Sequence, residues 1–161
     1  MIEVSLMFGG NLGDVPGAFA FALRELESNG FQVHAKSSVF LTAPVDCVPG
    51  TPDFQNMAVL GFWQGSPRKL LDLTQRIERE SGRPAQHSSR EARTLDIDII
   101  TFGQEIICES DLIIPHPRAQ QRLFVLEPLA EIAPDLRFPD SQKTVSTLFF
   151  QVKKSLAKKA G

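Results

Sequence analysis

The chain has 161 residues and a formal net charge of −2, which fits one domain large enough to bury a core. Apolar residues make up 42% of it and charged residues 22%, an ordinary balance for a globular protein that implies no nucleic-acid partner. No apolar run reaches membrane-spanning length and the N-terminus has no basic start, so we expect neither a membrane partner nor a secretion signal.

The first half of the chain alternates between strand and helix signals. Apolar residues at every second position predict strands over residues 2–8, 31–41 and 54–63. Asp14 before an apolar stripe predicts a helix that stops at Gly30, and Ser66 followed by Pro67 predicts one that ends at Gly82. The residues expected to share one face of the strand at 31–41 are Phe31, Val33, Ala35, Val39 and Leu41.

In the second half, residues 83–93 are polar and aperiodic and predict a loop. Residues 94–102 predict a strand, and Gly103 predicts a turn into residues 105–108. Pro117 and Pro128 are each expected to begin a short helix, and residues 144–159 predict a last helix. The order strand, helix, strand, strand, helix, strand is ferredoxin-like. It predicts one α+β domain over residues 1–161, an antiparallel sheet with helices on one face plus C-terminal additions.

Two acids, Asp96 and Asp98, lie inside the predicted strand at 94–102, where acids are disfavoured. Alternation projects both from one face, and unpaired carboxylates that close repel each other. A divalent cation removes the repulsion, and Mg²⁺ commonly takes one or two protein carboxylates together with substrate phosphates. On the pattern alone, two solvated surface acids are as good an interpretation as a metal site.

Cationic side chains on both sides of the acids suit phosphate. Arg83, Arg90 and Arg93 precede the acids, although a solvated side chain is the simpler interpretation of each one taken alone. His116 stands at the start of a predicted helix, where anions are favoured, and Arg122 lies on the same helix. A capping or exposed histidine is the simpler interpretation of His116 by itself.

Short motifs run along most of the chain. They are Gly-Gly-Asn-Leu-Gly-Asp at 9–14, Thr-Ala-Pro at 42–44, Asp-Phe-Gln-Asn at 53–56, Gln-Arg-Ile-Glu at 75–78, Gly-Arg at 82–83, Arg-Thr-Leu-Asp-Ile-Asp-Ile at 93–99, Pro-His-Pro at 115–117, Arg-Leu-Phe-Val-Leu-Glu-Pro-Leu at 122–129 and Glu-Ile-Ala-Pro at 131–134. In this order and spacing, the motifs resemble those of the 6-hydroxymethyl-7,8-dihydropterin pyrophosphokinase family. The resemblance covers the chain from Gly9 to about Asp140.

The resemblance implies transfer of pyrophosphate from ATP to the hydroxymethyl group of the dihydropterin, with AMP as the second product, in folate biosynthesis. It implies two Mg²⁺ ions on Asp96 and Asp98, with Asp98 as partner for the hydroxyl proton, and Arg83 and Arg93 as further catalytic residues. The implied pterin-binding residues are Thr42, Pro44, Val45, Phe54, Asn56 and Phe124. The implied nucleotide-binding residues are Gln75, Glu78, Ile99, His116 and Arg122. Core packing for the two phenylalanines, and a solvated helix face for Gln75 and Glu78, are the alternatives.

The loop before the acids departs from the family pattern. Ala85 and Ser89 stand where arginines are usual, Arg90 replaces a tryptophan, and Glu91 replaces a glycine. These changes leave the acids intact and put closure of the loop over the substrates in question. The alternatives to an active enzyme are therefore a slow or non-catalytic relative that binds pterin or nucleotide, and a ferredoxin-like interaction module without a ligand.

The cellular setting follows from the partners and the cysteines. We expect small-molecule substrates, ATP and the pterin, and a monomeric protein. Cys47 and Cys108 have no metal-like spacing, so a cytoplasmic protein with free thiols is the simplest interpretation.

Overall fold

The computed structural model describes residues 1–43, 49–81 and 94–160. Its main elements, in chain order, are β1 (Ile2–Gly10), α1 (Val15–Ser28), β2 (Gln32–Lys36), β3 (Phe40–Thr42), β4 (Phe54–Trp63), α2 (Pro67–Glu80), β5 (Asp96–Phe102), β6 (Ile107–Glu109), β7 (Leu112–Ile114), α3 (Leu123–Ile132) and α4 (Val145–Ala160). A short 3₁₀ helix, Ala119–Gln121, lies between β7 and α3. Within these ranges, no helix has both the length and the apolar character needed to cross a membrane.

The strands form an antiparallel sheet in the order β2-β4-β1-β5, and β3 also pairs with β4. β6 and β7 pair separately as a hairpin. This strand order is that of the ferredoxin-like fold, and it confirms the predicted α+β class. β5 forms one edge of the sheet, and in the described part of the chain β1 is its one partner strand.

Helices cover both faces of the sheet. α1 and α2 pack on one face, where Phe8 of β1 is buried with Phe19 and Ile77. α3 and α4 pack on the other face, where Ile100 of β5 is buried with Leu126. The two ferredoxin-like helices therefore share one face, as predicted. The C-terminal additions supply a second apolar core that the sequence pattern did not predict.

Several element boundaries lie at the predicted signals. Asp14 and Ser66 each accept a hydrogen bond from the backbone N–H three residues further on, both at 3.1 Å, and so cap α1 and α2. The chain leaves α1 through Gly30, whose φ of +95° is a conformation that favours glycine. β4 and α4 lie where predicted, whereas β5 begins at Asp96, two residues later than expected.

The strand predicted at 31–41 is instead two shorter strands, and its apolar side chains do not share a face. Val33 and Ala35 pair with consecutive residues of β4, so one extra residue bulges out between them and turns Ala35 to the other face. Val39 and Leu41 are 43% and 69% exposed rather than in the core.

The strand pairing with β4 is interrupted between β2 and β3, because the side chain of Ser37 takes the place of a backbone acceptor. Its N–H donates to the Ala58 carbonyl, and its Oγ accepts from the Ala58 N–H, both at 2.9 Å. Next to it, Ser38 donates through its hydroxyl and its backbone N–H to Oε1 of Glu131 in α3, both at 2.7 Å, and these bonds lower the pKa of Glu131. The break carries one extra residue, which turns Thr42 toward the face covered by α3 and α4.

The two helix starts predicted at prolines are wrong. Pro117 leads only into the 3₁₀ helix, and α3 begins at Leu123. Pro128 lies inside α3, where it provides no N–H for the carbonyl of Phe124. Pro128 is buried, so its ring contributes apolar contact to the core beneath α3.

Candidate active site

A cleft of about 330 Å³ opens beside α3, on the face of the sheet opposite to α1 and α2. Residues of β1, β4 and β5 form its floor, and the segment that leads into α3 forms one wall. Eight residues predicted for the site line it: Thr42, Phe54, Asn56, Asp96, Asp98, His116, Arg122 and Phe124. The structure thus gathers the residues assigned to the pterin and those assigned to phosphate and metal around one opening.

The register of the sheet sets the spacing in this cleft. Gly9 of β1 pairs with Asn56 on one side and with Asp96 on the other. Directly paired residues of antiparallel strands point to the same face, so Asn56 and Asp96 flank Gly9. A Cβ at Gly9 would lie 3.3 Å from Asn56 Oδ1, which is tighter than ordinary van der Waals contact. The missing side chain of Gly9 keeps the floor open between the amide and the acid.

Asp96 and Asp98 both line the cleft, as strand alternation predicts. Asp96 is half-buried and Asp98 is exposed, while Ile97 between them is buried in the core on the α1 and α2 side. In residues 1–43, 49–81 and 94–160, no group of three or more His, Cys, Asp or Glu side chains is arranged to hold a metal ion. Two carboxylates beside an open cleft fit Mg²⁺, which keeps waters and takes substrate oxygens, and do not fit Zn²⁺, which takes three or four protein ligands.

His116 is held against the edge of β5 by its own backbone, whose N–H donates to the Ile100 carbonyl at 2.9 Å. Its Nδ1 accepts a hydrogen bond from the N–H of Arg118 at 3.4 Å, which leaves the proton of the neutral ring on Nε2. Burial lowers the pKa of His116; Asp98 opposes this shift, and Arg122 and Arg118 add to it. Burial thus favours the neutral form of His116, whose Nε2–H can donate a hydrogen bond. His116 precedes a 3₁₀ helix rather than the longer helix predicted.

Arg122 and Phe124 stand at the start of α3, on the wall of the cleft. The guanidinium carbon of Arg122 lies 5.4 Å from the centre of the Phe124 ring, within the range of a cation–π contact. Phe124 is 36% exposed and Phe54 is half-buried, and neither ring belongs to the two apolar cores. Core packing, the alternative for these two rings, is therefore not what the structure shows.

Asn56 is only 6% exposed, and its Nδ2 donates a hydrogen bond to Thr42 Oγ1 at 3.1 Å. The bond orients the side-chain amide, so that Oδ1 and the second N–H remain for a ligand. The sequence predicts both residues for the site but not the bond between them. That bond depends on the extra residue before β3, which turns Thr42 toward the cleft.

Sequence reasoning missed part of the lining. The further residues that border the cleft are Met7, Gly9, Ala43, Ile100 and Val125. The alternation of Met7 and Gly9 with the core residue Phe8 is visible in the sequence. The sequence pattern does not show that β1 runs between the strands of Asn56 and of the acids.

Three side chains predicted to bind the nucleotide do not line the cleft. Ile99 is buried in the core with α1 and α2, because alternation along β5 turns it away from Asp98. Gln75 is exposed on α2, as in the alternative of a solvated helix face. Glu78 is 9% exposed, and its Oε2 accepts a hydrogen bond from the N–H of Ile97 at 2.7 Å. Both side chains miss the cleft because α2 packs on the opposite face of the sheet.

Other predicted residues lie outside the described ranges. They are Pro44, Val45, Arg83 and Arg93, together with the positions that depart from the family pattern: Ala85, Ser89, Arg90 and Glu91. Cys47 also lies outside these ranges, whereas Cys108 is exposed with a free thiol.

Together, fold and cleft define a class of protein: a ferredoxin-like α+β domain whose cleft brings two acids, a histidine and an arginine next to an amide and two aromatic rings. Residues 5–134 match the model of the 7,8-dihydro-6-hydroxymethylpterin-pyrophosphokinase (HPPK) family. The chain belongs to this family.

Individual relatives agree with the family match. The Bacillus subtilis 2-amino-4-hydroxy-6-hydroxymethyldihydropteridine pyrophosphokinase is 41% identical, over 79% of this chain and 75% of that protein. An Arabidopsis thaliana folate synthesis bifunctional protein is 37% identical, over 81% of this chain but only 27% of that protein. The crystal structure of wild-type Plasmodium falciparum HPPK-DHPS shares the fold, with a TM-score of 0.76 at 13% identity, over 98% of this chain and 46% of that one. The chain thus spans between about a quarter and about a half of these two larger proteins.

Proposed function

We propose that the protein transfers pyrophosphate from ATP to the hydroxymethyl group of 6-hydroxymethyl-7,8-dihydropterin, giving AMP and the pterin diphosphate, in folate biosynthesis. One observation carries the proposal: Asn56 and Asp96 lie on either side of Gly9 on one face of the sheet. A site for the edge of a heterocycle and a site for a polyphosphate therefore adjoin. Membership of the family supports the reaction.

The pterin is a flat ring with a polar edge, and one end of the cleft offers groups for both parts. Asn56, oriented by Thr42, provides an acceptor and a donor for the ring edge. Phe54 and Phe124 provide aromatic faces at the same opening. These contacts hold the pterin so that its hydroxymethyl group points toward the acids.

The triphosphate of ATP lies at the other end, where cationic and donor groups converge. Arg122 and the Nε2–H of His116 donate to phosphate oxygens. Arg83 and Arg93 add charge from outside the described residues, as the family resemblance implies. Asp96 and Asp98 hold the predicted Mg²⁺ ions, which when bound neutralise charge on the phosphates.

The reaction is a direct displacement. The pterin hydroxyl oxygen attacks the β-phosphorus of ATP, and the bond from that phosphorus to the oxygen bridging it to the α-phosphorus breaks. AMP leaves with the bridging oxygen, and the hydroxyl proton passes to the carboxylate of Asp98. Positioning and charge stabilisation dominate such transfers, so no covalent intermediate with the protein is required.

An assay of AMP release tests the proposal. Purified protein is incubated with ATP, Mg²⁺ and the hydroxymethyl-dihydropterin, and products are separated by chromatography. We expect AMP and pterin diphosphate in equal amounts, and neither in the presence of a chelator. Saturable binding of both substrates without AMP would identify a non-catalytic relative instead. Absence of any binding would favour the remaining alternative, a ferredoxin-like interaction module without a ligand.

We further propose a single domain that works as a monomer in the cytoplasm. Both apolar cores pack against one sheet, which supports the single domain. Light scattering at the assay concentration tests the oligomeric state, and fractionation of cells that express the protein tests its location.

A further inference from the structure

Glu78 is a buried carboxylate that the proposed reaction does not use. It lies in the last turn of α2 and is 9% exposed. Its Oε2 accepts a hydrogen bond from the backbone N–H of Ile97 at 2.7 Å, in the interior of the protein. Ile97 is the residue between Asp96 and Asp98. The bond therefore holds the backbone midway between the two acids of the cleft.

Glu78 stands where a further strand would otherwise pair with the edge of the sheet. β5 is an edge strand, and a buried N–H on such an edge requires an acceptor. A carboxylate is a strong hydrogen-bond acceptor, because a charge-assisted hydrogen bond is about twice as strong as a neutral one. Further along β5, the Ile100 carbonyl accepts the bond from the N–H of His116 at 2.9 Å. The backbone of β5 is thus held on both sides of Asp98, by α2 at Ile97 and by the segment of His116 at Ile100.

We propose that Glu78 is a positioning residue for the acid pair. By fixing the backbone at Ile97, it fixes the directions in which Asp96 and Asp98 leave β5. It thereby sets the affinity of the cleft for a divalent cation bound to a polyphosphate. The inference rests on the proposed function, because it concerns the site of the magnesium nucleotide. Glu78 acts from the opposite face of the sheet and does not line the cleft.

A purely structural role of Glu78 makes a different prediction. In that case its loss would weaken the packing of α2 on β5, and nucleotide affinity would fall no more than in any variant of equal stability. Thr74 provides a matched control, since it is fully buried one turn earlier in α2 and its hydroxyl donates to the Leu71 carbonyl at 2.9 Å. Thr74→Val therefore removes a buried polar group of α2 that bonds within the helix and not to β5.

The test compares Glu78→Met, Glu78→Gln and Thr74→Val with the wild type. Methionine keeps the length of the side chain without its acceptor, whereas glutamine keeps an acceptor oxygen. NMR measures the hydrogen-exchange rate of the Ile97 amide. Calorimetry measures the Kd for α,β-methylene ATP with and without Mg²⁺. We expect Glu78→Met to speed Ile97 exchange and to weaken magnesium-dependent binding about 10- to 100-fold, as for other partners that orient metal ligands. Glu78→Gln should recover most of the affinity, and Thr74→Val should keep it.

Specific results overturn the proposal. Unchanged nucleotide affinity in a Glu78→Met protein with fast Ile97 exchange would do so, and so would an equal loss of affinity in Thr74→Val. Slow Ile97 exchange in Glu78→Met would show that the bond does not hold the strand. If Glu78→Met does not fold, Glu78→Gln decides: magnesium-dependent affinity that falls together with faster Ile97 exchange supports the proposal, and a change in either quantity without the other overturns it. Failure of the proposed function is seen separately, as a wild-type protein without magnesium-dependent nucleotide binding or AMP release.

Discussion

Replacing Asn56 with alanine tests the pterin half of the cleft. The Asn56 amide is 6% exposed and bonded to Thr42, so its remaining groups meet the ring edge with little competition from water. Without the amide, polar groups on the ring edge are buried unpaired, at a cost of roughly 1–3 kcal/mol. That cost corresponds to pterin binding about 5- to 150-fold weaker than in the wild type. The bond between Asn56 and Thr42 forms without a ligand. Its loss therefore lowers the stability of the protein rather than its affinity for the pterin.

Two titrations measure the effect, one with the dihydropterin and one with a magnesium ATP analogue. The Kd for the pterin should rise in Asn56→Ala, and the Kd for the nucleotide should change little, because the acids lie beyond Gly9. Gln55→Ala is the matched control, since the neighbouring side chain points to the opposite face of β4 and should affect neither Kd. Equal loss of both affinities in Asn56→Ala would refute the reasoning and make Asn56 a structural residue.

Three further perturbations test other parts of the molecule. Asp96→Asn and Asp98→Asn keep the side-chain shape but not the charge, and each should lower AMP release at least about 100-fold with little change in Tm; near-normal turnover would remove that acid from the mechanism. Burial lowers the pKa of His116, so the unfolded state binds the proton more readily, and the metal-free protein should lose stability as the pH falls below the ordinary histidine pKa of about 6.5. Urea titrations at about pH 7.5 and about pH 5.5 should show a smaller loss for His116→Gln, and an equal loss in both proteins contradicts this account. Gly61→Ala places a Cβ against the ring of Phe31 and 2.6 Å from the Gln32 carbonyl oxygen, and should lower the free energy of unfolding by about 1–3 kcal/mol; an unchanged urea midpoint would show that the surroundings of β4 move to make room.

Local signals predicted much of the fold. The alternation in β1 and β4 and the caps at Asp14 and Ser66 depend on neighbouring residues alone, and the structure confirms them. The faces of β2 and β3 depend on distant partners. Ser37 pairs with Ala58 through its side chain, and the resulting extra residue reverses which side chains point inward. The alternation of apolar residues cannot reveal such an interruption, because the position of the extra residue is set by the pairing with β4.

The candidate site shows the same division between local and distant information. Asp96 and Asp98 share a face by strand geometry, whatever packs around them. Gln75 and Glu78 are also neighbours by helix geometry, but the direction in which they point depends on the layer to which α2 belongs. α2 packs against the face of the sheet opposite to the cleft, and Glu78 meets the backbone of β5 there instead of lining the cleft. Which motif residues share a face could therefore be predicted from the sequence, whereas which of them line the cleft depends on the packing of whole elements.

Helix α3 connects the cleft to a polar contact at the other end of the helix. Its first turn carries Phe124 at the cleft, and its last turn carries Glu131, which two bonds to Ser38 anchor at the surface. Its 10 residues span about 15 Å, so a tilt of about 5° about the Glu131 end displaces the Phe124 end by about 1 Å. A displacement of about 1 Å at a residue that positions a substrate can cost about 100-fold in rate. The Ser38–Glu131 contact thus fixes one end of a helix whose other end lines the cleft, so a substitution at Ser38 would act on the site without altering any group that lines it.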